Sequence, residues 1–369
     1  MGLWADGLLE ERDAFHLPPA QLAPRRFKAI VESLEHHHRD NPTYRRLCDA
    51  RGFKPADVKR PEDLVRIPLL STRAFKEKLS ILSVAPEKIV KTHHSSGTAG
   101  TRSRVPRDQV TLDRFTRSLQ QTILQVQGES GYIGLLGPSP EELGDLSFAN
   151  WARVGCALAK GHDFFLKDYE FEPEQIVATL NKVTLRPVQI GGSPMLILEL
   201  ANFITESGQR LTTLTEDSRV TSGGGFKNLG GEIITRAQYD ERVSAAYGVP
   251  RKNIRDAYAM SEINGFLSEC DQNVKHLPPW LHLSVRNPAD LDEEVGKGVE
   301  GLPAFLDPLA HSYPGFVVAD DIVKVVVADG ERCACGRFGP CIDAFIRRAE
   351  GAESRGCGRQ IEELRSAAR

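Results

Sequence analysis

From about residue 20 to 39, Phe27, Ile30, Val31 and Leu34 recur at the three- and four-residue spacing of one helix face. The polar run Glu35 to Asp40 then meets Asn41-Pro42, a helix stop, so the pattern predicts an amphipathic helix. His36, His37 and His38 point in three directions on such a helix, which predicts a solvated face and not a metal site. From about residue 90 onward the period changes. Short β-rich runs at Tyr132 to Leu136, Val188 to Ile190, Arg219 to Thr221, Leu281 to Val285 and Ile322 to Val327 alternate with helical patterns. One helix opens at Ser193-Pro194, an N-cap followed by proline at the first helical position. The alternation predicts an α/β protein. No repeat, low-complexity tract or long linker interrupts it, so one unit is expected, with an N-terminal helical segment packed on a sheet-containing body.

Composition narrows the classes. A chain of 369 residues has room for one large or two medium domains. A net charge of -3 supplies no general attraction to nucleic-acid phosphates or anionic membranes. The start MGLWADGLLEERDAF lacks the basic segment and apolar core of a signal peptide, and Asp6 breaks the myristoylation pattern. Apolar stretches such as Met195 to Leu200 fall far short of the roughly 20 residues that span a bilayer. A cytoplasmic protein is expected. Seven cysteines, an odd number, fit a reducing compartment with metal-bound, reactive or buried thiols better than a disulfide framework. Cys48 and Cys156 lie outside any cluster and read as packing residues.

The strongest local signal runs from His93 to Arg104, His-His-Ser-Ser-Gly-Thr-Ala-Gly-Thr-Arg-Ser-Arg, after the apolar pair Ile89-Val90 and before a helical stretch. Glycines let the backbone approach a phosphate, hydroxyls and N–H groups supply donors, and two arginines supply charge. No Gly-Lys-Ser/Thr follows at Walker A spacing, and taken alone the segment also fits a flexible turn. Ser222-Gly223-Gly224-Gly225 ends a β-like run, where a flat ring could lie on bare backbone, or where the chain simply turns. Tyr258-Ala259-Met260-Ser261-Glu262 combines an aromatic to stack on a base, a hydroxyl to reach a phosphate and a carboxylate to hold Mg²⁺. Phe316 to Asp321 ends in two carboxylates suited to ribose hydroxyls.

In this order, these segments resemble those of the adenylate-forming superfamily of acyl-CoA synthetases and peptide-synthetase adenylation domains. Ser95 to Arg104 is similar to its phosphate loop, Tyr258 to Glu262 to its Tyr-Gly-x-Thr-Glu element, and Ala319-Asp320-Asp321 to its Thr-Gly-Asp element. The resemblance implies ATP contacts from Ser95, Ser96, Gly97, Thr98, Gly100, Thr101 and Arg104, from Gly223, Gly224 and Gly225, and from Tyr258, Ser261 and Arg347. It leaves Asp320 and Asp321 open for the ribose, the last position favouring Asp321. Catalytic roles fall to Glu262, also the Mg²⁺ ligand, to Lys227 and to Cys357. Within the superfamily the chain is most similar to the phenylacetate-coenzyme A ligase group, and closer still to the acyl-protein synthetase of the bacterial luminescence fatty acid reductase system. Asn41 to Arg46, Arg66-Ile67-Pro68, Arg107-Asp108, Gly224 to Lys227, His276 to Trp280, Ser312-Tyr313-Pro314 and Arg355-Gly356-Cys357 carry that likeness.

The resemblance implies an α/β adenylate-forming large N-terminal domain with a truncated C-terminal region. Full-length relatives continue for roughly a hundred residues beyond the hinge, a domain's worth. The expected division is a helical segment over 1–90, an adenylation domain over 91–345 and a hinge and acceptor segment over 346–369. Activation of a carboxylic acid, a fatty acid in this group, would be followed by transfer to Cys357 as a thioester and delivery to an acyl-CoA-reductase-like partner. Arg355 and Arg359 would stabilise the thiolate. Two rivals stay open: transfer to coenzyme A, a carrier protein or an amine, and a catalytically retired member. Cys270-x5-His276 and Cys333-x-Cys335, with Cys341 near by, read either as four ligands of a structural tetrahedral Zn²⁺ or as buried free thiols.

Overall fold

The computed structural model describes residues 3–76, 81–95, 102–224 and 234–349. Helix α1 (Leu3–Leu9) is followed by α2 (Pro19–Asp40) and α3 (Pro42–Ala50). The α2 helix spans the segment that the apolar spacing predicted. Asn41 ends α2 and caps α3, its side chain accepting from the Tyr44 N–H at 2.8 Å. Ile30 and Leu34 of α2 and Tyr44 and Cys48 of α3 share one buried cluster with Phe316 and Val317 from the far end of the chain. The N-terminal helices are thus bound to the body by apolar burial.

The histidine run departs from expectation. His36 and His37 are buried, because α2 lies against the segment from Asp307 to Tyr313 and not against water. His36 Nε2 is 2.9 Å from the His311 carbonyl, and the two imidazoles stack at 4.6 Å. His37 bridges Ser83 Oγ at 2.7 Å and the Ala310 carbonyl at 3.2 Å. Burial pushes the basicity of His37 well down, so the ring is held neutral.

The body is α/β. A hairpin of β1 (Ile89–His94) and β2 (Arg104–Asp108) leads into α4 (Gln109–Thr122), capped by the Asp108 carboxylate at the Thr111 N–H, 2.9 Å. The second hairpin strand was not legible. Arg104-Val105-Pro106-Arg107-Asp108 offers one aliphatic side chain among charges, and its buried members include Arg107 and Asp108. The chain therefore runs strand, loop, strand, helix, where strand, loop, helix was expected.

Strands β3 (Tyr132–Leu136), β4 (Gly161–Phe164), β5 (Val188–Gly192), β6 (Arg219–Gly223) and β7 (Ile254–Tyr258) form a parallel sheet in the order β4-β3-β5-β6-β7. Helices α5 (Ser147–Ala157), α6 (Pro194–Ser207) and α7 (Arg236–Tyr247) come from its connections. The α6 helix starts at Ser193, whose Oγ caps the Leu196 N–H, as Ser193-Pro194 predicted. Every residue of β3 and β5 is buried, as expected of strands covered on both faces. Beyond β7 the sheet turns antiparallel through β8 (Leu267–Glu269) and β9 (Lys275–His276) into a β-rich lobe. That lobe comprises β10 (His282–Asn287), β11 (Glu300–Leu306), β12 (Phe316–Val318), β13 (Asp321–Val327), β14 (Cys341–Ile342) and β15 (Arg347–Arg348). Among the described residues no helix is long and apolar enough to cross a membrane.

A buried charge network stitches the parallel sheet to the β-lobe. Lys275, with no exposed surface, lies 2.7 Å from Glu269 Oε1 and 3.1 Å from Asp256 Oδ2, and donates to the Ala344 carbonyl at 2.9 Å. Arg236 of α7 grips both oxygens of Glu269, at 2.9 and 2.8 Å. Burial works to raise Glu269, but Lys275 and Arg236 together hold its carboxyl below the ordinary range. Deleting one partner strands the others in low dielectric. Lys275→Met is therefore expected to cost about 3–5 kcal/mol. Urea denaturation should show the midpoint falling well below that of wild type, and an unchanged midpoint would refute the stabilising role of this cluster.

Candidate active site

All five parallel strands point their carboxyl ends at one edge, and in open α/β sheets ligands bind outside that edge. Gly223 ends β6 opposite Ala257 of β7, one residue before Tyr258. A Cβ built on Gly223 would meet nothing within 4 Å among the described residues. Gly224 follows with φ +98°, a conformation that favours glycine.

The phosphate-loop hairpin reaches the same edge. At its mouth the Ser95 N–H donates to the Ser103 carbonyl at 3.1 Å, and the Ser103 N–H donates to Ser95 Oγ at 2.9 Å. The Ser103 side chain is a neighbour of the buried Glu262 and favours its ionised form. Burial raises Glu262 above the usual carboxylate range, with Ser103, Lys76 and Arg348 opposing it. Ser147, the first residue of α5, brings its Oγ to 2.9 Å from Ser261 Oγ. Arg107 clamps the parts together from beneath. It is fully buried and donates to Asn264 Oδ1 at 3.0 Å and to the Ser261 carbonyl at 2.8 Å, while Nη1 lies 3.0 Å from His93 Nδ1. Burial, aided by Arg107, pushes His93 down to about 3, so the ring stays neutral and Nδ1 can accept.

The carboxylates of the Asp pair separate. Asp321 opens β13 and accepts from the Tyr258 hydroxyl at 2.8 Å, with Arg348 Nε 3.2 Å from its other oxygen. Asp320 instead accepts from Thr72 Oγ1 at 2.9 Å. Arg347 points elsewhere, to Glu300 at 2.7 Å, and its neighbour Arg348 is the arginine beside Asp321. Strand alternation explains the swap, since successive side chains of β15 leave opposite faces.

A second cluster lies at the junction of the sheet and the β-lobe. Ligand atoms of Cys270, His276, Cys333 and Cys335 all fall within 4.8 Å of one another. Cys335 Sγ is 3.3 Å from His276 Nε2, and Cys270 and Cys333 sulfurs are 4.0 Å apart. Cys341 Sγ lies on the other ring nitrogen, 3.3 Å from Nδ1. The neighbouring Cys270 thiol lowers the Cys335 thiol, with His276 adding to the effect. Three sulfurs and one imidazole, mostly buried and converging, could hold a metal ion, and the donor set fits tetrahedral Zn²⁺. Cys48 and Cys156 are buried away from it, as packing residues.

The structure thus gathers Ser95, Ser103, Ser261, Glu262, Gly223, Gly224, Tyr258 and Asp321 around one sheet edge. Arg104, also expected there, opens β2 and is exposed. Ser96, Gly97, Thr98, Gly100, Thr101, Gly225, Lys227 and Cys357 lie outside the described residues. Sequence reading gave no role to Arg107, Asn264 or Asp307. Asn264 donates to Asp307 Oδ2 at 2.9 Å and to the Tyr313 hydroxyl at 3.0 Å, extending the Arg107 clamp into the β-lobe. A polar residue between apolar Ile263 and Phe266 was the only signal of it.

Comparison with known proteins places the fold and the family. The chain is 25% identical over 343 residues to the long-chain-fatty-acid–luciferin-component ligase of Vibrio harveyi, covering 89% of this chain and 85% of that one. It is 28% identical over 113 residues to the phenylacetate-coenzyme A ligase of Aromatoleum evansii, which covers 30% of this chain and 26% of that one. Its fold matches the open conformation of 2-hydroxyisobutyryl-CoA ligase, crystallised with 2-HIB-AMP and CoA, with a TM-score of 0.72 at 17% identity, over 94% of this chain and 80% of that one. A family model described as acyl-protein synthetase, LuxE, matches residues 4–365, and the chain therefore belongs to the LuxE family of acyl-protein synthetases, ligases built on the adenylate-forming fold.

Proposed function

We propose that the chain activates a fatty acid with ATP as an acyl-adenylate and then transfers the acyl group to its own Cys357. The observation that carries the first half is the convergence of Ser103, Glu262 and Ser261 at the mouth of the phosphate-loop hairpin. In this reading the triphosphate lies against that hairpin, the adenine against Gly223, Gly224 and Tyr258, and the ribose at Asp321. The contact between Tyr258 and Asp321 favours Asp321 over Asp320. The Asp321–Arg348 pair gives way to ribose hydroxyls as the nucleotide binds, and Arg348 takes the place that the family resemblance gives to Arg347. Glu262 would hold Mg²⁺, which supplies charge neutralisation between the phosphates. The carboxylate of the acid attacks the α-phosphorus, an O–P bond forms, and the bond to the β-phosphate breaks with release of pyrophosphate. Positioning and fixed donors supply most of the rate.

In the second half the Cys357 thiolate attacks the acyl carbon and AMP leaves. The family match runs to residue 365 and so takes in this cysteine. A long-chain fatty acid is the acid named for the Vibrio harveyi relative, and it is the first substrate to try. An acyl-CoA-reductase-like protein would then take the acyl group. The Cys270, His276, Cys333 and Cys335 cluster would hold Zn²⁺ structurally, pinning the turn from Arg332 to Phe338 to β8 and β9.

Three outcomes test these assignments. Glu262→Gln should lower acid-dependent pyrophosphate exchange by about two orders of magnitude or more, with an unchanged melting temperature. Wild-type exchange in that variant would remove Glu262 from the metal role. With radiolabelled acid, ATP and no added acceptor, the wild-type chain should carry hydroxylamine-labile label on the peptide around Arg355 to Arg359. Cys357→Ser should keep exchange and lose the label, because little serine alkoxide exists at neutral pH. Label that persists in Cys357→Ser, or that maps to Cys333, Cys335 or Cys341, overturns self-acylation at Cys357. Elemental analysis of protein purified without a metal-affinity step should give about one zinc per chain, with a lower melting temperature after chelation. Zinc-free protein of full stability would leave the cluster as buried thiols.

A further inference from the structure

Helix α5 begins where three parts of the site meet. Its first side chain, Ser147, reaches Ser261 Oγ at 2.9 Å and the carbonyl of His94 at 3.4 Å. Leu146 stands at the N-cap and supplies no side-chain acceptor for the first N–H groups. The positive end of an eleven-residue helix is thus aimed at the region between the phosphate-loop hairpin and Glu262.

One turn on, at the position that shares a face with Ser147, stands Asn150. Helical side chains lean toward the N-terminus, so its amide is carried back over Ser147. Asn150 is only 8% exposed, and its Nδ2 is buried with no hydrogen-bond partner among the described residues. A buried donor left unpaired is costly and in native proteins has a reason. One further turn along the same face, Val154 packs with Phe115, Leu119 and Phe266, and Trp151 lies on Phe266 at 4.5 Å. Along the helix the amide thus lies between Ser147, which meets Ser261, and Val154, which belongs to the apolar cluster.

We propose that Asn150 binds the carboxylate of the acid substrate, Nδ2 donating to the oxygen that does not attack phosphorus and that becomes the acyl carbonyl. The proposal rests on the adenylation reading. The apolar cluster suits the first carbons of an acyl chain and is wrong for a triphosphate, which the hairpin's serines and arginines serve on the other side. A neutral donor beside the helix N-terminus orients an anion without competing with the metal for it, and it leaves the attacking oxygen free to face the α-phosphorus.

Pyrophosphate exchange with the full-length chain, using hexadecanoate and phenylacetate in turn, decides the matter. Asn150→Leu should raise the KM for the acid about ten- to hundredfold, the loss expected for a hydrogen bond to a charged group, and shift the KM for ATP by less than about twofold. Its melting temperature should stay level or rise, since an unpaired buried amide is removed. Asn150→Asp, isosteric and carrying a like charge, should raise the acid KM with the ATP KM unchanged, and it serves alone should the leucine variant not fold. An unchanged acid KM in either variant, or a parallel rise of both KM values with a fallen melting temperature, overturns the carboxylate assignment while adenylation stands. A wild-type chain that exchanges pyrophosphate with neither acid overturns the adenylation reading and the role of Asn150 with it.

Discussion

The site depends on a buried guanidinium held without a carboxylate in contact. Among the described residues Arg107 meets only neutral partners, Asn264, His93 and the Ser261 carbonyl, with the ring of Phe115 beneath it at 4.4 Å from the centroid. A fully desolvated cation of this kind is tolerable only if most of its donors are spent and an aromatic face shares the charge. Asn264 passes the polarisation on to the Asp307 carboxylate, a negative charge one hydrogen bond removed. That arrangement makes Arg107 a directional clamp. Its arms fix the hairpin to the segment from Ser261 to Asn264, and Asn264 carries the hold on to Asp307 and Tyr313 of the β-lobe.

Polar groups elsewhere in the interior follow a different rule. Around Lys275, opposite charges lie in direct contact and satisfy one another, so the network serves to join the parallel sheet to the β-lobe. Around Cys270 soft donors converge from the end of β8, from β9 and from the turn that carries Cys333 and Cys335. Both clusters adjoin β8 and β9, where the sheet changes from parallel to antiparallel, and backbone pairing there is short: β9 contributes two residues to the ladder. Short ladders hold little by themselves, and charge pairing together with the buried cluster around Leu267, Leu277 and Ile342 supplements their few hydrogen bonds.

Around the nucleotide edge the polar groups are arranged for exchange. Tyr258 donates to Asp321, with Arg348 as its ion-pair partner, and both Arg348 Nε and the Asn150 amide are without a hydrogen-bond partner among the described residues. The Tyr258–Asp321 hydrogen bond can be exchanged for one to a ligand at small net cost, because a bond lost is a bond regained. The unpaired donors gain outright when an acceptor arrives. In the proposed reading, these unsatisfied donors would favour a bound acid and nucleotide over water and would set the acid apart from the phosphates by placing them on different donors.

Much of this was legible along the chain. Periodicity located α2 and the core of β3, β5, β6, β10 and β13, and the Ser193 cap marked the start of α6, because those signals are local and each depends on residues within one or two turns. Residue chemistry in sequence order located Ser95, Gly223, Tyr258, Ser261, Glu262 and the four possible zinc ligands, because each segment carries its own donors. What only the tertiary structure decided concerns polar residues whose surroundings come from far along the chain. His36 and His37 are buried by residues some 270 positions away and not solvated. Arg107 is an anchor only because Asn264 and Ser261 meet it, Arg348 and not Arg347 faces Asp321 because of the pleat of β15, and Asn150 is conspicuous only once its neighbours in space are known. A polar side chain looks the same in sequence whether water or another segment satisfies it, and desolvation, which decides its energy, is a property of the folded chain.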